Sequence, residues 1–224
     1  MLNEIKEFIN NSDYKLIGIT GNAGSGKTTL SKLLSDEFTI YSADYKFIGD
    51  SNYRKELLEK KSEKSINSYI DACNQYNWWD WQSIYSDLNM LKEGKTVNLE
   101  NKYNRDKGIY EDGIQLIPTD KIIYEGAILG HYSIIELLDV IFFIYTPKDK
   151  RLERLISKDL NRRSLNEILA RFFITEYSEY IHYKMLFKLH KNQSKLIVLD
   201  SFYNIIANFK LEEDKQFIPL PILD

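Results

Sequence analysis

Five short runs of the chain are almost continuously apolar: Lys15 to Thr20, Phe38 to Ser42, Lys121 to Glu125, Val140 to Tyr145 and Lys195 to Asp200. Rich in Ile, Val, Leu, Phe and Tyr and lacking polar alternation, they suit strands buried on both faces of a parallel sheet. Between them the apolar positions follow a helical period, with Leu30, Leu33 and Leu34 in Thr28 to Ser35 and Leu152, Leu155 and Ile156 in Asp149 to Leu160. A longer helical pattern runs from Asn166 to Leu189. Strands alternating with helices predict a doubly wound α/β sheet. At the start, Leu2, Ile5, Phe8 and Ile9 stand among charges at helical spacing, which predicts a short amphipathic helix and not a signal peptide.

From about residue 48 to 118 this rhythm breaks, over a length too great and too patterned for a bare loop. Tyr53 to Ile70 is a polar helical stretch rich in Lys and Glu. Asp80 then stands where it can cap a helix carrying Ile84, Leu88 and Leu91, which Gly94 ends. Val97 to Leu99 and Gly113 to Ile117 read as two short strands, closed by Pro118. The expected organisation is one domain over residues 1–224, with 48–118 as an insert of helices and a hairpin that binds the substrate.

Gly21, Gly26, Lys27 and Thr28 fit the spacing G-x-x-x-x-G-K-[ST], placed after an apolar strand and before a helix. Glycines let backbone N–H groups turn inward around phosphate oxygens, and the helix N-terminus adds the positive end of its dipole. Gly21, Asn22, Ala23, Gly24, Ser25 and Gly26, with Lys27, Thr28 and Thr29, are the candidate nucleotide site. Lys27 is expected on the β and γ phosphates and Thr28 on Mg²⁺. Asp44 and Glu125 end the second and third apolar runs, and carboxyl ends of parallel strands face the ligand crevice. One acid can then take a hydroxyl proton while the other assists Mg²⁺; an Asx turn for Asp44 and a solvated strand end for Glu125 are the alternatives.

Composition narrows the partners. The 224 residues carry a net charge of -3, so no overall basic field favours nucleic acid and any anion site is local. No apolar run is long enough to span a membrane, and the single cysteine, Cys73, agrees with a cytoplasmic location. A homo-oligomer is left open. In "KDKRLERLISKDLNRRS" the cations Arg151, Arg154, Lys158 and Arg162 form one stripe opposite the apolar side. Beside a phosphate loop this reads as a lid over 148–165, with Arg154 and Lys158 as catalytic candidates and Arg162 and Arg163 on the nucleotide; a solvated helix with Glu153 and Asp159 as partners is the other reading. Tyr76, Trp78, Trp79 and Trp81 surround Asp80, with Tyr103 and Tyr110 following. Such rings can stack on a flat acceptor or pack the insert; packing is preferred for the tryptophans, while cap and ligand both stay open for Asp80.

In order and motif the chain resembles the uridine kinase family of P-loop kinases, with phosphoribulokinase and pantothenate kinase as more distant relatives. The family's D-x-F-Y after the second strand is matched by Asp44-Tyr45-Lys46-Phe47, and its Gly-Lys-Thr-Val by Gly94-Lys95-Thr96-Val97. Its Asn-Phe-Asp and Ala-Phe-Asp region is matched loosely by "YNWWDW" and its Tyr-Asp pair by Tyr103-Asn104. Glu125-Gly126 and the segment from Arg151 to Asp159 match its Glu-Gly and its lid helix. The resemblance implies a P-loop NTPase-type three-layer sandwich around a mostly parallel five-stranded sheet, with a small inserted substrate-binding subdomain.

It further implies an ATP-dependent or GTP-dependent kinase of a small-molecule acceptor, using Mg²⁺ at Thr28 and Glu125. Asp44 is the implied general base, with Phe47, Asp80, Tyr103, Tyr110 and Glu125 on the acceptor side and the lid cations on the triphosphate. A uridine-like or cytidine-like nucleoside leads among acceptors; another alcohol, or a nucleotide-binding regulatory role, is the alternative. Relatives acting on those nucleosides carry a histidine and an arginine after the Tyr-Asp pair, whereas "YNRDKGIYEDG" has no histidine. The lid has Leu155 and Lys158 where the family has arginines.

Overall fold

The computed structural model describes residues 2–105, 107–161, 163–190 and 195–207. In chain order its elements begin α1 (Leu2–Asn10), β1 (Leu16–Thr20), α2 (Lys27–Leu34), β2 (Thr39–Ser42) and a 3₁₀ turn, Ala43–Lys46. There follow α3 (Ser51–Ser62), α4 (Ile66–Ala72), α5 (Trp81–Lys92), β3 (Val97–Asn104), β4 (Ile109–Leu116) and β5 (Ile122–Glu125). The chain continues through α6 (Tyr132–Leu137), β6 (Val140–Ile144), α7 (Lys148–Asp159), α8 (Leu165–His190) and β7 (Leu196–Leu199).

All five apolar runs join one sheet in the order β2-β5-β1-β6-β7, every neighbouring pair parallel. Helices cover both faces. Ile5, Ile9, Leu30 and Leu34 of α1 and α2 pack against Ile17, Ile19, Ile123 and Phe142 on one side. On the other, Leu88 and Leu91 of α5, Ile134 of α6 and Leu186 of α8 pack against Leu16, Tyr41, Tyr124 and Phe143. Alternate residues of each strand feed opposite cores, which makes the three layers. The register sets Glu125 opposite both Ser42 and Ile19, so the carboxyl ends of β2, β5 and β1 come level at one edge.

The stretch 48–118 has the predicted kinds of element with different bounds. The expected single helix splits into α3 and α4. The hairpin strands are longer than the sequence suggested, because outer positions such as Asn101 are polar and exposed and pair through their backbones. Ile84, Leu88, Val97, Leu99 and Tyr103 belong to the same core as Tyr41, Ile122 and Tyr124, so this stretch buries its apolar face on the sheet. Trp79 is buried edge-on against Phe47, with ring centroids 4.9 Å apart. Trp78 and Trp81 are partly buried and donate their indole N–H to the carbonyls of Ala72 and Tyr76, at 2.9 and 2.6 Å. The tryptophans thus pack. The short α6 had no readable sequence signal. Among the described residues no helix is long and apolar enough to cross a membrane.

Leu88 is completely buried between α5 and the sheet. Leu88→Ala is expected to cost about 2–5 kcal/mol of stability, checked by urea unfolding. A loss below about 1 kcal/mol would show that α5 is not integral to the core.

Candidate active site

The phosphate loop leaves β1 and runs into α2 with Gly21, Gly24 and Gly26 at φ of 149°, 80° and 108°. Side chains are blocked there as well as strained: a Cβ on Gly21 would lie 2.5 Å from the Ile144 carbonyl oxygen, and one on Gly24 2.8 Å from that of Arg151. The loop is therefore held between the end of β6 and the start of α7. Lys27 donates from Nζ to the carbonyls of Gly21 and Asn22 at 2.7 and 3.1 Å. Burial pulls its pKa down, opposed by the charges of Glu179, Glu125 and Asp44. Ser25 Oγ is buried with no hydrogen-bond partner. A glycine cradle, a desolvated ammonium and an orphaned hydroxyl fit a bound phosphate chain.

Thr28 Oγ1 donates to Glu125 Oε2 at 3.4 Å, and Ser42 Oγ donates to Glu125 Oε1 at 2.9 Å. Glu125 is 6% exposed, and burial, reinforced by the charge of Asp44, raises its pKa. Among the described residues no three His, Cys, Asp or Glu side chains gather as a metal site. The Thr28–Glu125 pair nevertheless fits Mg²⁺, which takes few protein ligands and keeps water and phosphate oxygens. Thr29 lies at the surface of α2, where its hydroxyl meets that of Tyr203.

Asp44 sits in the 3₁₀ turn beyond β2, its N–H donating to Ser42 Oγ at 3.3 Å. Arg105, from the tip of the β3–β4 hairpin, donates to Asp44 Oδ2 at 3.4 Å. Nearby, Phe47 and Tyr103 stack at 5.2 Å with an interplanar angle of 17°. The Arg54 guanidinium lies over both rings, 4.2 and 4.7 Å from their centroids, and bonds the Tyr103 hydroxyl. Tyr110 donates its hydroxyl to the Phe47 carbonyl, which uses that hydroxyl structurally. Asp80 caps α5, accepting from Ser83 N and Oγ at 3.0 and 2.6 Å, so both oxygens are engaged. Asp80 is thus the N-cap of α5 in this structure.

The predicted cationic stripe on α7 is not uniform. Arg151 is buried and forms a bidentate pair with Glu176 while donating to the Thr146 carbonyl at 2.9 Å; it is a structural anchor. Arg154 reaches the phosphate loop, donating to the carbonyls of Gly24 and Ser25 at 3.2 and 3.5 Å. Lys158 is exposed in the last turn, and Arg163 pairs with Asp159 at 2.7 Å. Arg162 lies outside the described residues.

Comparison with known proteins agrees with this geometry. The sequence model of the phosphoribulokinase/uridine kinase family matches residues 16–188. A uridine kinase of Borrelia duttonii is 30% identical over 210 residues, covering 88% of this chain and 92% of that protein. The fold is similar to a possible uridine kinase from Bacillus stearothermophilus (TM-score 0.56, 16% identity, 88% of this chain and 96% of that one). It is also similar to the phosphoribulokinase of Rhodobacter spheroides (TM-score 0.58, 15% identity, 84% of this chain and 70% of that one).

The sequence reading missed Arg105, Arg54 and, from α8, Glu179. Glu176, Glu179 and His182 recur every third residue, a polar stripe on an otherwise mixed helix, and that was the available signal. His182 Nε2 accepts from the Leu129 N–H at 3.1 Å and burial drives its pKa down to about 3, so it stays neutral and pins the segment after β5. Glu179 is fully buried; Oε2 accepts from the Ala23 N–H of the phosphate loop at 3.0 Å, and Oε1 has no partner. Burial pushes its pKa up to about 7, against the pull of Lys27 and with a further push from Glu176.

Above its ordinary value of 4.5 and up to about 7, the folded chain holds a proton on Glu179 that the unfolded chain has released. Stability from this group therefore falls as pH rises through that window, by about 3 kcal/mol in all. Glu179→Gln is expected to remove this slope, so that the variant gains on the parent between about pH 5 and 8 in urea unfolding. A difference independent of pH would contradict the raised pKa.

Proposed function

The chain belongs to the phosphoribulokinase/uridine kinase family and is a phosphotransferase acting on a hydroxyl acceptor; from that premise we propose an ATP-dependent kinase of a small metabolite with Asp44 as its base. One observation carries this reading. Asp44 and Glu125 leave neighbouring strand ends, and both act electrostatically on Lys27 of the phosphate loop.

In the proposed reaction the loop from Gly21 to Thr29 holds the triphosphate, with Lys27 against the β and γ groups. Mg²⁺, for which Thr28 and Glu125 are the residues on offer, supplies neutralisation of phosphate charge when bound. Asp44 accepts the acceptor's hydroxyl proton as that oxygen bonds the γ-phosphorus and the bond to the ADP oxygen breaks. Arg154 already touches the loop, and with Lys158 it offsets charge on the transferring group, which makes 148–165 a lid. Arg163 serves the nucleotide once released from Asp159. Phe47 and Tyr103 wall the acceptor side, within the stretch 48–118.

A uridine-like or cytidine-like nucleoside is the leading acceptor in this proposal, supported by the names of two relatives, a uridine kinase and a uridine-cytidine kinase. A different alcohol is the second reading, favoured by Arg105 on Asp44 in a hairpin segment without histidine. Asp44→Asn is expected to lower phosphoryl transfer by about 10²–10⁴-fold while ATP affinity stays near that of the parent. Labelled ATP with a panel of nucleosides, sugars, polyols and pantothenate, alongside nucleotide titration, reads both quantities. ATP consumption that ignores every acceptor and survives Asp44→Asn would sink the kinase mechanism.

A further inference from the structure

One peptide of the phosphate loop is gripped from both sides. The carbonyl of Asn22 accepts from Lys27 Nζ at 3.1 Å. The N–H of Ala23 belongs to the same trans peptide, points the opposite way and donates to Glu179 Oε2 at 3.0 Å. The Asn22 side chain is held as well: its Nδ2 donates to Glu176 Oε1 at 3.3 Å, and Glu176 is fixed by the guanidinium fork of Arg151. Two of the three donors on Lys27 Nζ therefore point at loop carbonyls, those of Gly21 and Asn22, which leaves one direction for the third. That direction depends on the plane of the Asn22–Ala23 peptide, and Glu179 holds the plane.

The carboxyl group of Glu179 is itself only half satisfied. It is fully buried, Oε2 has the N–H of Ala23, and Oε1 has no hydrogen-bond partner among the described residues. A buried carboxylate needs donors on both oxygens to offset its desolvation, whereas the neutral acid still accepts at one oxygen. The charged and titratable groups around it are Lys27 on α2, Glu176 and Tyr183 on α8 and Arg105 at the hairpin tip, with Arg151 of α7 beyond Glu176. Among them, Lys27 is the cation bound to the same peptide, and Tyr183 donates its hydroxyl to the Ala127 carbonyl at 2.7 Å. Burial pushes the Glu179 pKa up to about 7, against the pull of Lys27 and with a push from Glu176. Negative phosphate charge at Lys27 favours the protonated acid further. From this geometry, and resting on the reading of the loop as the nucleotide site of a kinase, we propose that Glu179 is a positioning residue: it fixes the peptide that aims Lys27 at the phosphates, and it takes up a proton as nucleotide binds. The proton comes from solvent and goes to Oε1, so Ala23 stays held and no carboxylate charge faces the triphosphate.

The test is calorimetric titration of the full chain with ATP and Mg²⁺, in buffers of different ionisation enthalpy, from about pH 6 to 9. The parent should take up part of a proton per nucleotide bound and lose about tenfold in affinity between about pH 7 and 8.5. Glu179→Gln keeps an acceptor for Ala23 and cannot titrate. It should therefore lack this uptake and this loss, the protons exchanged by ATP itself being common to both proteins. Glu7→Gln, which removes a carboxylate from the exposed side of α1, should keep both.

Turnover separates positioning from a merely structural role. Glu179→Ala should lower kcat by about 10²-fold with the acceptor KM near its parent value, because a misaimed Lys27 acts on the transferring group. Glu179→Gln should recover most of that loss at pH 7. If Glu179→Ala does not fold, the binding profiles of the parent and Glu179→Gln carry the test. Identical pH profiles for those two, a folded Glu179→Ala with the parent's kcat, or a loss that Glu179→Gln fails to recover would overturn the role of Glu179. Each of these leaves the mechanism with Asp44 as base standing, whereas a parent that binds no nucleotide at any pH would end both readings.

Discussion

Charge buried at the end of an apolar sheet is the constraint around which the site is organised. Lys27, Glu125 and Glu179 are all desolvated, and each of their pKa values moves in the direction burial dictates. Such groups are tolerable only in mutual reach and with hydrogen bonds to their remaining atoms. The parallel register supplies that reach by bringing Glu125 level with Ser42 and with the end of β1. A one-residue slip of β5 would turn Glu125 to the opposite face and strand Lys27 without it.

The long helix α8 extends this network to α7. Arg151 binds Glu176, Asn22 Nδ2 donates to the same carboxylate at 3.3 Å, and Glu179 takes the Ala23 N–H. Two acids one turn apart on α8 thus fasten the phosphate loop on one side and the first turns of α7 on the other. Removing one partner of a pair so buried leaves an uncompensated charge, so these contacts act together. With its N-terminal turns fixed by Arg151, α7 has its more exposed residues, Arg154 and Lys158, left facing outward toward the loop side or solvent.

On the acceptor side, aromatic packing does the positioning. Phe47 touches Trp79 edge-on and Tyr103 face-on, so the wall next to Asp44 is continuous with the core of the domain. The cation–π contact of Arg54 adds rigidity and charge in the same place. Rings anchored in this way keep their rotamers, which places Arg105 and Asp44 on supports that packing already fixes.

Local pattern by itself determined much of this. Apolar runs without alternation marked the five strands, the spacing of Gly21, Gly26, Lys27 and Thr28 marked the phosphate loop, and Asp44 and Glu125 were readable as acids at strand ends. Each of these signals is short in range, set by backbone geometry or by burial of consecutive residues. Tertiary structure alone decided the rest: that Arg151 is a buried anchor while Arg154 meets the loop, and that Glu179 and Arg105 enter the site at all. Those outcomes depend on contacts between residues far apart along the chain, such as Ala23 with Glu179 or Asp44 with Arg105. A lone charged residue in a helix or hairpin tip carries no mark of its distant partner, because what fixes its role is the energy of desolvating it beside that partner.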